Sequence, residues 1–237
     1  MRAYLISMRI KRLHPSPPPG GSSRSHMKES IMKTRIGFAL FSAVTALAIC
    51  LGAAPAAAAE MNSIPTEEDF APYWEEAARQ PVVPDKGASP ISARDASYPT
   101  RKGVILVTGD KFEWIPSGHA AIIYSSSQVV ESMMDGVTTG PNDWNSSKNV
   151  VYGLKVNDTS ISEDYAAADW CYSQRGKPYN WNFFDKDTRS AFYCSQLVWA
   201  AYNDLYGIDL DTPTFGSAVY PTELVSCGET STIYLQF

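Results

Sequence analysis

Histidine and cysteine are scarce in this chain, whose 237 residues include three histidines and four cysteines. The ligands of a structural zinc ion come in close pairs, such as two cysteines separated by a few residues. The cysteines here, Cys50, Cys171, Cys194 and Cys227, are scattered and form no such pair. This spacing argues against a zinc site, and we expect the protein to work without a metal ion or another cofactor.

The chain also lacks an apolar run of full membrane-spanning length. Its longest run, Ile36–Leu51, has about 16 residues, whereas a membrane-spanning helix needs about 20. Basic residues precede this run (Lys33, Arg35), and alanines follow it up to Ala59, which is the pattern of a secretory signal with a cleavage site. We predict a bacterial-type signal, no stable membrane span after its removal, and a secreted, periplasmic or cell-envelope location. An uncleaved anchor is the alternative.

Positive charge becomes scarce once residues 1–59 are removed. They hold eight of the 20 Lys and Arg residues but one of the 25 Asp and Glu residues, so 12 basic and 24 acidic residues remain, a net charge of −12. Such a surface repels phosphate backbones, which argues against a nucleic-acid partner. It also argues against electrostatic binding to anionic lipid and favours cationic ligands, such as peptides that carry lysine or diaminopimelate.

Strands and helices are both predicted in the remaining chain, which has the length of one domain. A helix begins at Thr66 and runs to about Gln80, and the loop Pro81–Thr100 follows it. Strands are predicted at 103–108, 119–124, 128–131, 150–156 and 230–237, and two further helices span 160–176 and about 193–207. Strands in the middle with helices beside them are typical of an α+β domain.

The second and third predicted strands carry His119, the last histidine left after removal of the signal, and Glu131. Positions 119 and 131 are symmetric about Ser125, so a turn centred there sets the two residues directly opposite each other. Opposed residues place their Cβ atoms about 5 Å apart on one face of a sheet. A carboxylate in that position can orient an imidazole and stabilise its protonated form. A surface ion pair on an edge hairpin fits the same spacing.

Cys194 lies near the predicted start of the helix that ends at Gly207. The N–H groups of a helix N-terminus lack intrahelical partners and carry partial positive charge, which favours a thiolate. The thiolate is the nucleophilic form of cysteine, and the same N–H groups can bind an oxyanion. Cys194 also shares an apolar stripe with Leu197, Val198 and Ala201, so a buried, inert cysteine is the competing interpretation.

Two motifs, Gly176–Trp181 (GKPYNW) and Tyr193–Val198 (YCSQLV), resemble the cysteine region of NlpC-type cell-wall peptidases. In those peptidases the histidine follows the cysteine, whereas here Gly118–Ile122 (GHAAI) and Glu131 precede it. The reversed order resembles the circularly permuted YiiX/YaeF-like branch of papain-fold amidases, which is distantly similar to lecithin:retinol acyltransferase-like proteins.

The resemblance covers most of Gly103 to about Leu224 and implies an α+β, papain-like fold of the permuted NlpC type. In that fold a central antiparallel sheet is packed by helices. We therefore predict three parts of the chain. They are an N-terminal extension with its signal peptide at 1–59, an N-terminal helix and wrapping loop at 60–102, and a catalytic domain at 103–237.

The same resemblance implies roles for individual residues. Cys194 matches the nucleophile, His119 the base, and Glu131 the residue that orients the base. Tyr179 matches the tyrosine near the oxyanion or the substrate carbonyl, and we place Tyr193 beside it on the substrate side. Tyr193 also marks a departure, because the unpermuted peptidases often have aspartate there. A second departure is the absence of their Gly-Gly pair between the two motifs.

These roles predict an exported cysteine amidase or peptidase that cleaves an amide bond in a peptide or peptidoglycan fragment through an acyl-enzyme. An acyl-lipid or thioester hydrolase, or an acyltransferase, could use the same Cys-His pair. A third possibility is a non-catalytic domain that binds envelope components. Because the motif requires a free thiol at Cys194, we expect any disulfide to join Cys171 to Cys227.

Overall fold

The computed structural model describes residues 64–88, 97–112 and 115–237, and the predicted signal peptide lies outside them. Six antiparallel strands form one sheet in the order β4-β3-β2-β1-β5-β6. The strands are β1 Ile105–Thr108, β2 His119–Ser125, β3 Gln128–Met133, β4 Gly136–Pro141, β5 Val151–Val156 and β6 Thr230–Gln236. The helices are α1 Glu67–Ala77, α2 Trp144–Ser147, α3 Ile161–Ser173, α4 Cys194–Tyr206 and α5 Pro221–Ser226, with a 3-10 turn at Pro213–Phe215. The predicted α+β class and central antiparallel sheet are confirmed.

Strand β1 lies between β2 and β5, in the interior of the sheet. Its residues are apolar on both sides, as predicted for a central strand. Ile105 and Val107 belong to the cluster that includes the inner faces of α3 and α4, and Leu106 belongs to the cluster on the opposite face with Trp144. The sheet is therefore buried on both faces around the strand that pairs with His119.

Local sequence signals set the ends of the two long helices. Ser160 and Glu163 form the predicted capping box, in which the Ser160 N–H donates to the Glu163 carboxylate at 2.7 Å. At the start of α4 the Tyr193 N–H donates to the Gln196 side chain at 3.0 Å. These caps fix where α3 and α4 begin, and so place Cys194 on the first turn of α4.

The Cys171–Cys227 disulfide prediction is wrong. All three cysteines of the described residues are free thiols. Cys171 lies on the inner face of α3, where its thiol contacts the Leu197 carbonyl of α4 at 3.6 Å. Cys227 follows α5 and contacts the Thr230 hydroxyl. One thiol lies on α3 and the other directly after α5, and each has its own local partner, so counting cysteines could not reveal their separation.

The segment before the sheet is held to the domain by a buried carboxylate. Asp164, on the first turn of α3, is fully buried and pairs with Lys86 at 2.9 Å and Arg101 at 2.8 Å. Arg101 also pairs with Asp85 at 2.7 Å. Both described ends of the predicted Pro81–Thr100 loop are thus tied to one helix. Among the described residues, no helix is both long and apolar enough to cross a bilayer.

Candidate active site

The hairpin β2–β3 brings His119 and Glu131 together, but in a different register from the one predicted. The turn lies at 126–127, and Glu131 pairs with Ala121 rather than with His119. His119 and Glu131 are therefore diagonal neighbours on one face of the sheet, a separation that a long side chain can bridge. Glu131 Oε2 lies 2.7 Å from His119 Nε2, so the contact forms although the predicted direct opposition is wrong.

A glycine and two aromatic rings fix the position of the imidazole. Gly118 has a φ of +85°, and a Cβ there would overlap the Thr108 carbonyl, so only glycine fits directly before His119. The Phe112 ring stacks on the imidazole at 4.5 Å between centroids, and the Trp144 ring lies at 5.7 Å. His119 is consequently almost fully buried, with its ring plane held by packing.

Cys194 is the first residue of α4, where backbone N–H groups have no intrahelical partner. Its thiol is buried, and the neighbouring His119 side chain and Ala120 N–H both favour its thiolate form. His119 Nε2 is occupied by Glu131. Nδ1 is buried without a hydrogen-bond partner among the described residues, so it is the nitrogen free to exchange a proton with the thiol. The imidazole therefore lies between the sulfur on one side and the carboxylate on the other.

The pair is electrostatically arranged as thiolate and imidazolium. Burial alone would lower the pKa of His119, but its interactions with Cys194 and Glu131 outweigh burial and raise the pKa to about 9. Burial would raise the pKa of Cys194, yet the His119 side chain and the Ala120 N–H lower it below its ordinary value. Each group favours the charged form of the other, which supplies a nucleophile at neutral pH.

The two predicted tyrosines both lie beside the thiol, but their environments differ. Tyr179 lines the pocket next to Cys194, and its pKa is raised by burial and then by the charge of Cys194. The Tyr193 hydroxyl accepts a hydrogen bond from the Val219 N–H at 2.9 Å and donates to the Phe183 carbonyl at 3.4 Å. Tyr193 thereby links the start of α4 to the backbone at Val219 and Phe183, whereas Tyr179 borders the space in front of the thiol.

An apolar pocket, open to solvent, lies beside Cys194. Among the residues that the structure describes, no charged side chain lines it. Aromatic and aliphatic side chains form most of its wall, including Phe70, Phe112, Ile115, Phe183, Val219 and Tyr220. A substrate whose carbonyl carbon reached the thiol would therefore place an apolar group in this space.

Sequence reasoning did not identify Phe112, Trp144, Ala120 or Gly140 as parts of the site. Ala120 acts through its backbone, and the two aromatic residues reach His119 through the fold, so no local motif marks them. Gly140 on β4 leaves room for Glu131, since a Cβ at that position would overlap Glu131 Oε1. A glycine within a strand weakens it and often marks such a close approach, which was the available signal.

Within the described ranges, no three His, Cys, Asp or Glu side chains lie close enough together to hold a metal ion. The site consists of the buried Cys194 thiol at a helix N-terminus and the His119 imidazole, which contacts the Glu131 carboxylate. This arrangement on a sheet-and-helix scaffold, with the histidine strand before the cysteine helix, is the one expected of a permuted papain-like cysteine hydrolase.

The comparisons with known proteins agree with that class. The model of the permuted papain-like amidase family, YaeF/YiiX, the C92 peptidase family, matches residues 108–233. The chain belongs to this family.

A curated relative is the uncharacterized protein YycO of Bacillus subtilis strain 168, which is 32% identical over 145 residues. The match takes in 56% of this chain and spans 55% of that relative, about half its length. A solved structure, described as the metalloprotein yiiX from Escherichia coli O157:H7, is 16% identical with a TM-score of 0.48. It covers 58% of this chain and 98% of its own.

Proposed function

We propose that this protein is an exported cysteine amidase in which Cys194 is the nucleophile, His119 the acid and base, and Glu131 the group that orients His119. The observation that carries the proposal is the position of the buried His119 imidazole between a carboxylate and a thiol. Glu131 lies 2.7 Å from Nε2, and Cys194 is close enough to stabilise the imidazolium. This geometry supplies an activated nucleophile, a proton carrier and an orienting carboxylate in one place.

In the first half of the reaction, the Cys194 thiolate attacks the carbonyl carbon of the amide and forms a carbon–sulfur bond. The imidazolium of His119 gives its proton to the amide nitrogen as the carbon–nitrogen bond breaks, and the amine leaves. In the second half, neutral His119 takes a proton from water, which attacks the thioester. The carbon–sulfur bond then breaks, and the carboxylic acid is released while Cys194 and His119 regain their charges.

The negative charge that develops on the carbonyl oxygen needs hydrogen-bond donors. The backbone N–H of Cys194, on the first turn of α4, is one donor, and the Tyr179 hydroxyl at the edge of the pocket is the second in this proposal. Tyr193 contributes its ring to the pocket wall, since its hydroxyl is used by Val219 and Phe183.

Peptides or cell-wall peptide fragments outside the cytoplasm are the substrates we propose, in keeping with the amidase family and the signal-like N-terminus. The net charge of −12 for residues 60–237 favours fragments that carry a cationic amine at some distance from the cut. One observation favours a second candidate, hydrolysis or transfer at an acyl ester or thioester. The pocket beside Cys194 is apolar, as an acyl chain would require.

The test is iodoacetamide alkylation of Cys194 as a function of pH, in the wild type and in His119→Ala. We expect wild-type Cys194 to react fast well below about pH 8.5, the ordinary thiol pKa, and the variant to lose that reactivity. The buried thiols Cys171 and Cys227 are internal controls, because burial raises the pKa of both. A slow Cys194, or one that is indifferent to His119, would contradict the catalytic assignment and favour a binding domain.

A second assay separates the candidate substrates. Zymography on cell-wall material and a panel of acyl esters and thioesters are run side by side, with Cys194→Ser as the inactive control. Clearing of the cell-wall material supports the amidase, and turnover of the acyl panel alone favours the second candidate. If neither is turned over while a cell-wall peptide still binds, the domain is a binding module.

A further inference from the structure

The first helix, α1, lies before the region that the family model matches, which begins at residue 108. Its inner face consists of Phe70, Trp74 and Ala77, at helical spacing. Phe70 and Ala77 are buried. An element outside the family region therefore packs directly on the domain that holds the candidate site.

Trp74 fixes the position of this helix against the site. Its indole stacks on the Tyr152 ring at 5.6 Å and lies against Gly118, the residue before His119. One turn earlier, Phe70 contacts the rings of Phe215 at 4.8 Å and Tyr220 at 5.1 Å. These contacts leave Phe70 about 1% exposed. The helix is thus anchored at two points, and the position of the Phe70 ring is determined by packing.

Phe70 and Ile64 also line the apolar pocket beside Cys194. Tyr220, which touches Phe70, lines the same pocket together with Val219. The two described residues that the N-terminal segment supplies to the wall are apolar, and the contact of Phe70 with Tyr220 joins them to the wall supplied by the family region. The space available to a group next to the thiol is therefore limited by a side chain from α1.

We propose that Phe70 determines the size of the apolar group that this pocket accepts next to the scissile bond. The proposal rests on the function proposed above, since it assigns the pocket to that reaction. Residue 70 limits the length of an unbranched apolar substituent, and a smaller side chain there extends the pocket. The residue that sets this limit lies on α1, outside the region matched by the family model.

The test measures binding without chemistry, so that it does not depend on the reactivity of the nucleophile. In the full chain carrying Cys194→Ala, dissociation constants are measured by calorimetry for N-butyl, N-octyl and N-dodecyl acetamide. We expect Phe70→Ala to tighten binding of the longest amide relative to the shortest by about tenfold, the equivalent of about 1.4 kcal/mol. Phe70→Leu should shift the ratio in the same direction by less.

Tyr73→Ala is the matched control on the same helix. Tyr73 packs on Phe215 at 4.8 Å, is 37% exposed and does not line the pocket, so its removal should leave the ratio of affinities unchanged. If Phe70→Ala and Phe70→Leu alter all three affinities by one common factor, or leave them unchanged, Phe70 has a structural role only and the proposal is overturned.

The two proposals fail in different ways. An unreactive Cys194 in the alkylation test removes the catalytic assignment, while a length-dependent effect of Phe70 would still show that α1 bounds the pocket. A reactive, His119-dependent Cys194 with no length-dependent effect at position 70 keeps the enzyme and removes the specificity role. Thermal unfolding of each variant, followed by circular dichroism, verifies that the compared proteins are folded.

Discussion

At the scale of single residues, the site depends on the protonation of His119, which lies between Cys194 and Glu131. The raised pKa of His119 and the lowered pKa of Cys194 mean that the charged pair persists across neutral pH. Sulfur and carboxylate both stabilise the imidazolium, whereas burial opposes it. Both partners, Cys194 and Glu131, stabilise the protonated form of His119, so removal of either should lower the pKa of His119.

Glu131→Gln removes the carboxylate charge but keeps the shape of the side chain. The pKa of His119 should fall below about 9, and the pKa of Cys194 should rise because its cationic partner is lost earlier. As pH rises, turnover should therefore decline at a lower pH than in the wild type, since His119 loses the proton needed by the leaving amine. The measurement is kcat/KM against pH, and identical basic limbs would exclude Glu131 from the orienting role.

Gly140→Ala tests whether the space beside Glu131 matters. The added Cβ overlaps Glu131 Oε1, the end of a flexible side chain, so we expect the carboxylate to move away from His119 while the fold persists. The basic limb should shift in the same direction as in Glu131→Gln. Gly228→Ala, where a Cβ meets open space, is the control. An unshifted profile in Gly140→Ala would show that Glu131 accommodates the methyl group in place.

Tyr179→Phe removes one proposed donor to the oxyanion. Loss of such a donor costs about 10²–10³-fold in turnover, and we expect a clear loss that is smaller than the loss in Cys194→Ser. Single-turnover acylation rates measure it, with Tyr124→Phe as a control, because Tyr124 stacks on Tyr172 away from the pocket. Equal rates for Tyr179→Phe and the wild type would remove Tyr179 from the site.

At the scale of elements, the helix starts and the hairpin decide where the chemistry lies. The cap at Tyr193 places Cys194 on the first turn of α4. The β2–β3 hairpin carries His119 at the start of β2. The N-terminal segment is attached separately, through α1 on one side and through Asp164 of α3 on the other. This second attachment gives a prediction about stability.

Asp164→Asn leaves Lys86 and Arg101, each about 13% exposed, without their shared carboxylate. Breaking such a buried pair by removing one partner costs about 3 kcal/mol of unfolding free energy. Asp169→Asn on the same helix is the control, because its carboxylate is 58% exposed and its pair with Lys102 should contribute less than about 1 kcal/mol. Urea unfolding measures the unfolding free energy of both variants. Equal midpoints would contradict the claim that Asp164 holds the N-terminal segment to the domain.

At the scale of the whole molecule, the described part of the chain is stabilised by packing on both faces of the sheet and contains no disulfide. Cys171, Cys194 and Cys227 are all free and buried. We therefore expect dithiothreitol to leave the Tm of the protein unchanged, measured by differential scanning calorimetry after expression in an oxidising compartment. A drop in Tm on reduction would reveal a disulfide that the structure does not contain.

The sequence by itself determined the strands and helices that have strong local signals. Apolar runs marked β1 and β5, and the Ser160–Glu163 capping box marked α3, because these signals act within one element. The sequence did not predict β4, because its end residues, Gly136 and Pro141, are typical of turns rather than of strands. The order of motifs around Cys194 and His119 was also readable, because chain order does not depend on the fold.

Tertiary structure alone decided the relations between elements. The pairing of Glu131 with Ala121 follows from the irregular β2–β3 turn, which symmetry about Ser125 could not reveal. The separation of Cys171 from Cys227, and the placement of Phe70 in the pocket, arise where distant segments pack together. Such contacts depend on packing between side chains far apart in the chain, and local sequence patterns carry no record of that packing.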